Sequence, residues 1–416
     1  MKRLLLVNPE FMLPANTGGR LRTWRFVEAL RHQYELNLIH PYRHAHQLDE
    51  LDAARPWFAN IWSVKVGGDQ PEVNDSKGAR LARLLKGEPW ELTYNHFPAF
   101  ASALGATVAA NDFDVVLARY IYQARYLFDL PRRPRARIVV DLDDIEPLKV
   151  ARAHRLAGPR SALTRARLRL NVAAFERYHR RRLPAVDLCT VCSEIDQAYL
   201  TKRRWSSNVA IVPNTIDVDR YACGPAALEQ QTFLFCGTLS YEPNVDGLRW
   251  FVREVWPHVT RMSPAAKLSI VGRGAGDEIL ALARDSSIFI HRDVPDVRTF
   301  YERASVVIVP IRIGGGTRIK MLEAGACRRP VVSTSVGAEG LHVTNGRHCL
   351  VEDDPLAFAR ACVALVRNPR LARQLATEHH RLVESTYDTP IVFRRIQRLF
   401  DFPDRRPAIT DVHQAA

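Results

Sequence analysis

The chain has 416 residues, 47% hydrophobic and 25% charged, with a formal net charge of +14. That length calls for two or three globular domains, each long enough for its own core. No apolar run approaches the ~18 residues of a membrane-spanning helix, and the start, MKRLLLVNPE, has too short an apolar run for a signal peptide. Its seven cysteines lack a paired framework, which fits reduced thiols and a cytoplasmic location.

In chain order the first half predicts strands at RLLLVN, YELNLIH, DVVLAR, RIVVDL and DLCTVC. The second half predicts them at TFLFCG, KLSIVG, SIFIH, SVVIVP and PVVST. Continuous Val/Ile/Leu runs fit parallel strands buried on both faces. Helical segments fall between them, among them Thr23–Arg31, Val245–Val259 and Val297–Arg303. This alternation specifies an α/β fold with two doubly wound sheets. The expected domains are 1–212 and 213–388, with a turn-rich linker at Pro213–Gln230. A last segment, 389–416, is expected to return a helix at Thr389–Phe400 to the first domain and to end in a loose tail after Pro403. Cys189 and Cys192 form a CxxC within a strand and are expected to be core cysteines.

Ligands of such sheets bind beyond the carboxyl ends of the strands, so strand ends supply the candidates. Pro14–Arg20 follows the first strand, and Gly18 and Gly19 there offer backbone to a cleft. The fifth strand ends in VVDLDDIE. Asp141 there is similar to the nucleophile of haloacid-dehalogenase phosphatases, although the motif sits late in its sheet. Asp143 or Asp144 is alternatively a polar or acid/base group in the cleft, or an arginine partner. In the second half Gly237 and Thr238 end one strand and Arg273 follows the next, placed to face an anion. The Val294–Val297 connection offers backbone to a nucleobase edge.

The densest signal is Pro310–Val332, PIRIGGGTRIKMLEAGACRRPVV. Gly314, Gly315 and Gly316 let backbone approach a ligand. Thr317 is expected to open a helix whose free N–H groups and dipole attract an anion. Arg318 and Lys320 add positive charge, and Glu323 lies further along as an acceptor for hydroxyls. A diphosphate at the turn and a ribose at the carboxylate would suit this arrangement.

Arg152–Arg182 holds ten arginines and one acid, Glu176, and so supplies +9 of the net charge. Within it Leu163, Ala166, Leu170, Ala173 and Ala174 form a helical stripe, with Arg165, Arg169, Arg180 and Arg181 around it. A basic amphipathic helix suits an anionic membrane surface. No nucleic-acid-binding motif accompanies the charge.

The ordered set FCGTLSYEPNVDGLRWFVREVWP, IVGRG, VPDVRTFY, VPIRIGGGTRIKMLEA and RPVVSTSVGAEGL resembles bacterial glycosyltransferases of family 4, which have the GT-B fold. VPNTID and TVCSEID are similar to the family too, and the resemblance covers most of residues 185–385. It implies a nucleotide-sugar donor, UDP- or GDP-linked, in the C-terminal domain and a glycan, lipid-linked or secondary-metabolite acceptor in the N-terminal one. It also implies retention of anomeric configuration and no bound metal or other cofactor. The implied donor-binding residues are Gly18, Gly19, Gly237, Thr238, Arg273, Val294, Gly315, Gly316, Thr317 and Glu323, with Asp144, Arg318 and Lys320 catalytic. Glu323 aligns with the second acid of the family's E-x7-E motif, whereas the first acid's place is taken by Gly315. The alternatives are a nucleotide-sugar 2-epimerase on the same fold, a magnesium-dependent phosphatase using Asp141, or a basic surface-binding protein on an inactive scaffold.

Overall fold

The computed structural model describes residues 1–67, 78, 87–89, 91–92, 96–156, 162–222 and 231–403. Residues 223–230 of the expected linker and the tail after Pro403 lie outside them.

Two parallel sheets organise the molecule. The first orders its strands β3-β2-β1-β4-β5-β6-β7: β1 Lys2–Val7, β2 Tyr34–Tyr42, β3 Asn60–Lys65, β4 Val115–Arg119, β5 Arg137–Asp141, β6 Leu188–Val191 and β7 Val209–Ile211. The second orders them β10-β9-β8-β11-β12-β13: β8 Thr232–Cys236, β9 Lys267–Gly272, β10 Ile288–Arg292, β11 Val306–Val309, β12 Val331–Ser333 and β13 Leu350–Val351. The reversals fall between β1 and β4 and between β8 and β11, which opens a crevice at the carboxyl ends there.

The continuous apolar runs behave as their composition demands. In β1, Leu5 and Val7 enter the core on one face of the sheet, while Leu4 and Leu6 enter the core on the other. The strands absent from the sequence reading are β3, β7 and β13. The edge strand β3 is partly or fully exposed throughout, and β7 and β13 have only three and two residues.

Glu242–Trp250 and Trp256–Met262 form one helical stretch joined by a π-turn at Phe251–Val255. Pro257, the second residue of the helix after it, lacks an N–H for a regular helical bond. The Thr389–Leu399 helix lies on Gly18–Leu30 of the first half, where Gln397 Nε2 donates to Ala29 O at 3.0 Å and Phe26 meets Phe400 edge-on. Among the described residues no helix is long and apolar enough to cross a membrane.

Candidate functional site

The glycine turn leaves β11 and faces the first domain. Gly314 and Gly316 have φ of +123° and +64°, which only glycine adopts without strain. The following helix starts at Ile319 with Arg318 as its N-cap residue, so Thr317 does not open it. The cause is local: Arg318 is extended and its side chain folds back on the turn, Nη1 donating to Gly316 O at 3.0 Å and to Gly315 O. Arg152 Nη1, from the first domain, donates to Gly314 O at 3.0 Å. The turn's carbonyls are thus occupied by guanidinium groups. Among the described residues nothing accepts from the N–H groups of Gly315, Gly316 or Thr317. Nε and Nη2 of Arg318 are also buried without an acceptor, and burial holds this guanidinium below its ordinary value. Unpaired buried donors are costly, and an anion at the turn would satisfy several at once.

Lys320, one turn on, is buried. Its Nζ donates to Asn244 Oδ1 at 2.8 Å and lies 4.0 Å from the Phe235 ring centroid. Burial pushes the ammonium down to about 7. A Cβ on Gly237 would sit 2.9 Å from Nζ, so Gly237 is what admits the lysine. Asn244 Nδ2 donates to Thr238 O at 2.8 Å, which joins the end of β8 to the same cluster. Glu323 accepts from the Tyr221 hydroxyl at 2.9 Å and the Tyr301 hydroxyl at 2.7 Å. Burial raises its carboxyl and the two phenols partly offset that. Neither tyrosine was singled out from sequence; they come from the linker and a surface helix, and only folding brings them to the carboxylate.

Arg273 and Val294 stand apart. Arg273 is exposed beyond β9; with the Asn16 amide turned so that its oxygen faces it, Nη1 donates across to that oxygen. Val294 packs half-buried on the second core. Among the described residues neither makes a hydrogen bond or ion pair with the glycine turn.

The first domain supplies the opposite wall. Thr17 caps the Gly18–Leu30 helix, and a Cβ on Gly18 would touch Ile319 Cδ1 at 3.4 Å. A Cβ on Gly19 would overlap the Tyr120 hydroxyl. Tyr120 has φ +65° at the end of β4, a strained geometry for a bulky residue and invisible in sequence.

Asp141 is fully buried. It accepts from Arg22 Nε at 2.9 Å and Nη2 at 2.6 Å and from Thr190 Oγ1 at 2.6 Å, and it pairs with Arg119. A phosphatase nucleophile must reach substrate, and this carboxylate cannot; that alternative is set aside. Asp143 pairs with Arg119 at 3.2 Å. Burial disfavours its charge, and Arg119 and Arg22 outweigh that and hold its carboxyl below the usual range. Cys192 packs on it, and both CxxC cysteines are free and buried. Asp144 instead faces the cleft. Its Oδ2 meets Lys149 Nζ at 3.3 Å, and its Oδ1 lies 2.9 Å from where a Cβ would stand on Gly315 and on Gly316. Burial works against the Lys149 charge, yet Glu146 and Asp144 hold its ammonium above the ordinary value. Among the described residues no group of three or more His, Cys, Asp or Glu could hold a metal ion.

The basic segment does not form one surface. Arg152 turns inward, pairing with Glu339 of the second domain, and Arg182 pairs with Asp129 at 2.9 Å. The stripe expected on Ala162–Arg182 is mostly exposed. Leu163 and Leu170 are 71% and 41% exposed, Ala166 and Ala173 are exposed, and only Ala174 is buried, beside Phe175, Tyr178 and His179. Arg165, Arg169, Arg180 and Arg181 are exposed around them.

Residues 230–368 match the family model described as Glycosyl transferases group 1. A Klebsiella pneumoniae protein described as an uncharacterized 44.6 kDa protein in the cps region is 27% identical over 171 residues, 39% of this chain and 44% of that one. The chain therefore spans less than half the length of that curated relative. Among solved structures, sucrose-phosphate synthase from Thermosynechococcus elongatus superposes with a TM-score of 0.67 at 16% identity, covering 96% of this chain and 98% of that one. Anabaena HepE in complex with UDP and glucose superposes with a TM-score of 0.63 at 12% identity, covering 96% and 99%. The fold is GT-B, two Rossmann-like domains.

Proposed function

We propose, from the premise that residues 230–368 form a glycosyl transferases group 1 domain on a GT-B scaffold, that the protein moves a sugar from a nucleoside-diphosphate sugar to an acceptor hydroxyl. The observation that carries this is the Gly314–Thr317 turn, whose carbonyls are bound by arginines while three N–H groups have no acceptor among the described residues. A diphosphate there meets those N–H groups, the unpartnered donors of Arg318 and the Lys320 ammonium. These are the groups needed to take up negative charge as the glycosidic bond breaks and its electron pair passes to the leaving nucleoside diphosphate. Glu323, held by two phenols, offers its remaining lone pairs to the ribose. UDP is supported as the carrier by HepE, which was solved with UDP and glucose; GDP is the other candidate.

The reaction proceeds with retention and calls on no metal, as the family resemblance implies. A surface-polysaccharide or glycolipid acceptor is supported by the cps-region relative. The exposed Leu163 and Leu170 among Arg165, Arg169, Arg180 and Arg181 support docking at an anionic inner-leaflet surface, where a lipid-linked acceptor would be reached.

A thermal-shift series with UDP and GDP tests the donor site. One of them raises the melting temperature at millimolar concentration; no response to either overturns the reading. Donor turnover without any acceptor would favour the 2-epimerase instead.

A further inference from the structure

The N–H groups of Gly315, Gly316 and Thr317 lack an acceptor among the described residues. Each belongs to a peptide unit whose carbonyl is held by a guanidinium. Gly314 O accepts from Arg152 Nη1 at 3.0 Å, Gly315 O from Arg318 Nη1, and Gly316 O from that same Nη1 at 3.0 Å. These units are trans, so carbonyl and N–H point in opposite directions within one plane. Fixing a carbonyl therefore aims the N–H of the next residue. A cation on the oxygen also polarises the amide and strengthens that N–H as a donor.

Arg318, a neighbour in sequence, holds two of the three units. The Gly314–Gly315 unit is held from the other domain, by a side chain of the Glu146–Leu156 helix. Gly314, at φ +123°, has the weakest steric restraint on its own backbone and cannot fix this plane alone. Arg152 is itself anchored by Glu339, which pairs with its Nη2. Both terminal nitrogens of the guanidinium are thus engaged by the second domain. Arg152 stands at the carbonyl end of the unit and an anion on Gly315 N–H stands at the opposite end, so the arginine acts on that anion through the peptide and not by contact.

We propose that Arg152 is a positioning residue that aims the Gly315 N–H at the donor diphosphate from across the cleft, so that the anion site is complete only with the first domain's helix in place. This rests on the donor-site reading above. The effect is the same for any base or sugar, because the peptide addresses only the phosphates.

The test is calorimetric binding of UDP and GDP to the parent protein, to Arg152→Ala and to Arg152→Lys. The nucleotide that the parent binds best loses about tenfold in affinity in Arg152→Ala, a hydrogen bond from a charged group being lost. Arg152→Lys keeps the charge but not the planar fork that spans Gly314 O and Glu339, and it loses nearly as much. Millimolar methylguanidinium restores affinity to the Ala variant and leaves the parent unchanged, which a general loosening of the fold would not show. Should Arg152→Ala lack the parent's ligand-free melting transition, Arg152→Lys carries the comparison. Parent-like affinity in the Lys variant means that charge alone acts. Parent-like affinity in the Ala variant means that the turn holds itself, and a loss that methylguanidinium does not restore means a structural role. Each of these overturns the assignment of Arg152 alone. A parent protein that binds neither UDP nor GDP overturns the donor site and this assignment with it.

Discussion

Asn214 Nδ2 donates to Thr317 Oγ1 over 2.9 Å, and both side chains are buried. Asn214 lies after β7, between the sheets; Thr317 closes the glycine turn. Asn214 Oδ1 in turn accepts from Arg22 Nη1 at 3.1 Å, and Arg22 binds Asp141 at the end of β5. One chain of hydrogen bonds thus runs from the core of the first domain to the turn of the second.

Replacing Asn214 with Ala leaves the Thr317 hydroxyl and one Arg22 nitrogen short of a buried partner. A loss of about 1–3 kcal/mol in unfolding free energy is expected, with a raised KM for donor because Thr317 is less fixed. Urea denaturation and donor titration check it; an unchanged midpoint and KM would show that the chain is idle.

Asp141→Asn should act on the fold before it acts on any chemistry. It strips the charge that faces both Arg22 and Arg119 in a fully buried site, although Asp143 still neighbours both. Breaking a buried ion pair costs about 3–5 kcal/mol. A large drop in melting temperature is expected, and a variant with parent stability would contradict the buried-pair account.

Lys320 makes donor binding depend on pH. Its ammonium is held down to about 7 by burial and by the Arg318 charge, against the opposing pull of Cys236 and Glu323. A bound diphosphate favours the charged form, so near pH 8 binding takes up close to one proton, and near pH 6 almost none. Calorimetry in buffers of different ionisation enthalpy reads the uptake, and Lys320→Met should abolish it. The sign for the ligand-free protein follows from the same depression. Between about pH 7 and the ordinary lysine value the unfolded chain binds the extra proton, so this group's contribution to stability rises with pH across that window and is lost as pH falls through 7.

Gly315→Ala adds a methyl group that meets Asp144 Oδ1 when the domains are as described. Alone it should weaken donor binding. Combined with Asp144→Ala it should cost less than the two single changes together, since the clash is removed. A double-mutant cycle on donor affinity measures the coupling, and strict additivity would mean the two residues do not meet.

Converting Arg165, Arg169, Arg180 and Arg181 to Gln should lower sedimentation with phosphatidylserine vesicles by at least about tenfold, each basic residue near such a surface contributing about 1 kcal/mol. Binding of donor should not change. Equal vesicle binding by parent and variant would remove the membrane role from this helix.

The α/β class, the two doubly wound sheets and the strand ends that carry the site are legible in the residue order alone. Continuous apolar runs between amphipathic stretches leave few other ways to bury strands on both faces. The residue order also located the glycine turn, since three consecutive glycines followed by Thr317, Arg318 and Lys320 are a local signal. Tertiary structure decided everything that depends on residues far apart in the chain. Arg152 looked like part of a surface charge run and proves to bind Gly314 O and Glu339. The Leu163–Leu170 stripe reads in sequence as one side of a basic amphipathic helix, and its exposure depended on which face of the helix met Phe175's neighbours. Tyr221 and Tyr301 meet Glu323 only because the linker and a helix after β10 converge there. Asp144 faces Gly315 only because two separately encoded sheets close on each other. Periodicity reports the burial of one element at a time; which side chains face each other across a cleft is set by packing between elements, and no local pattern records it.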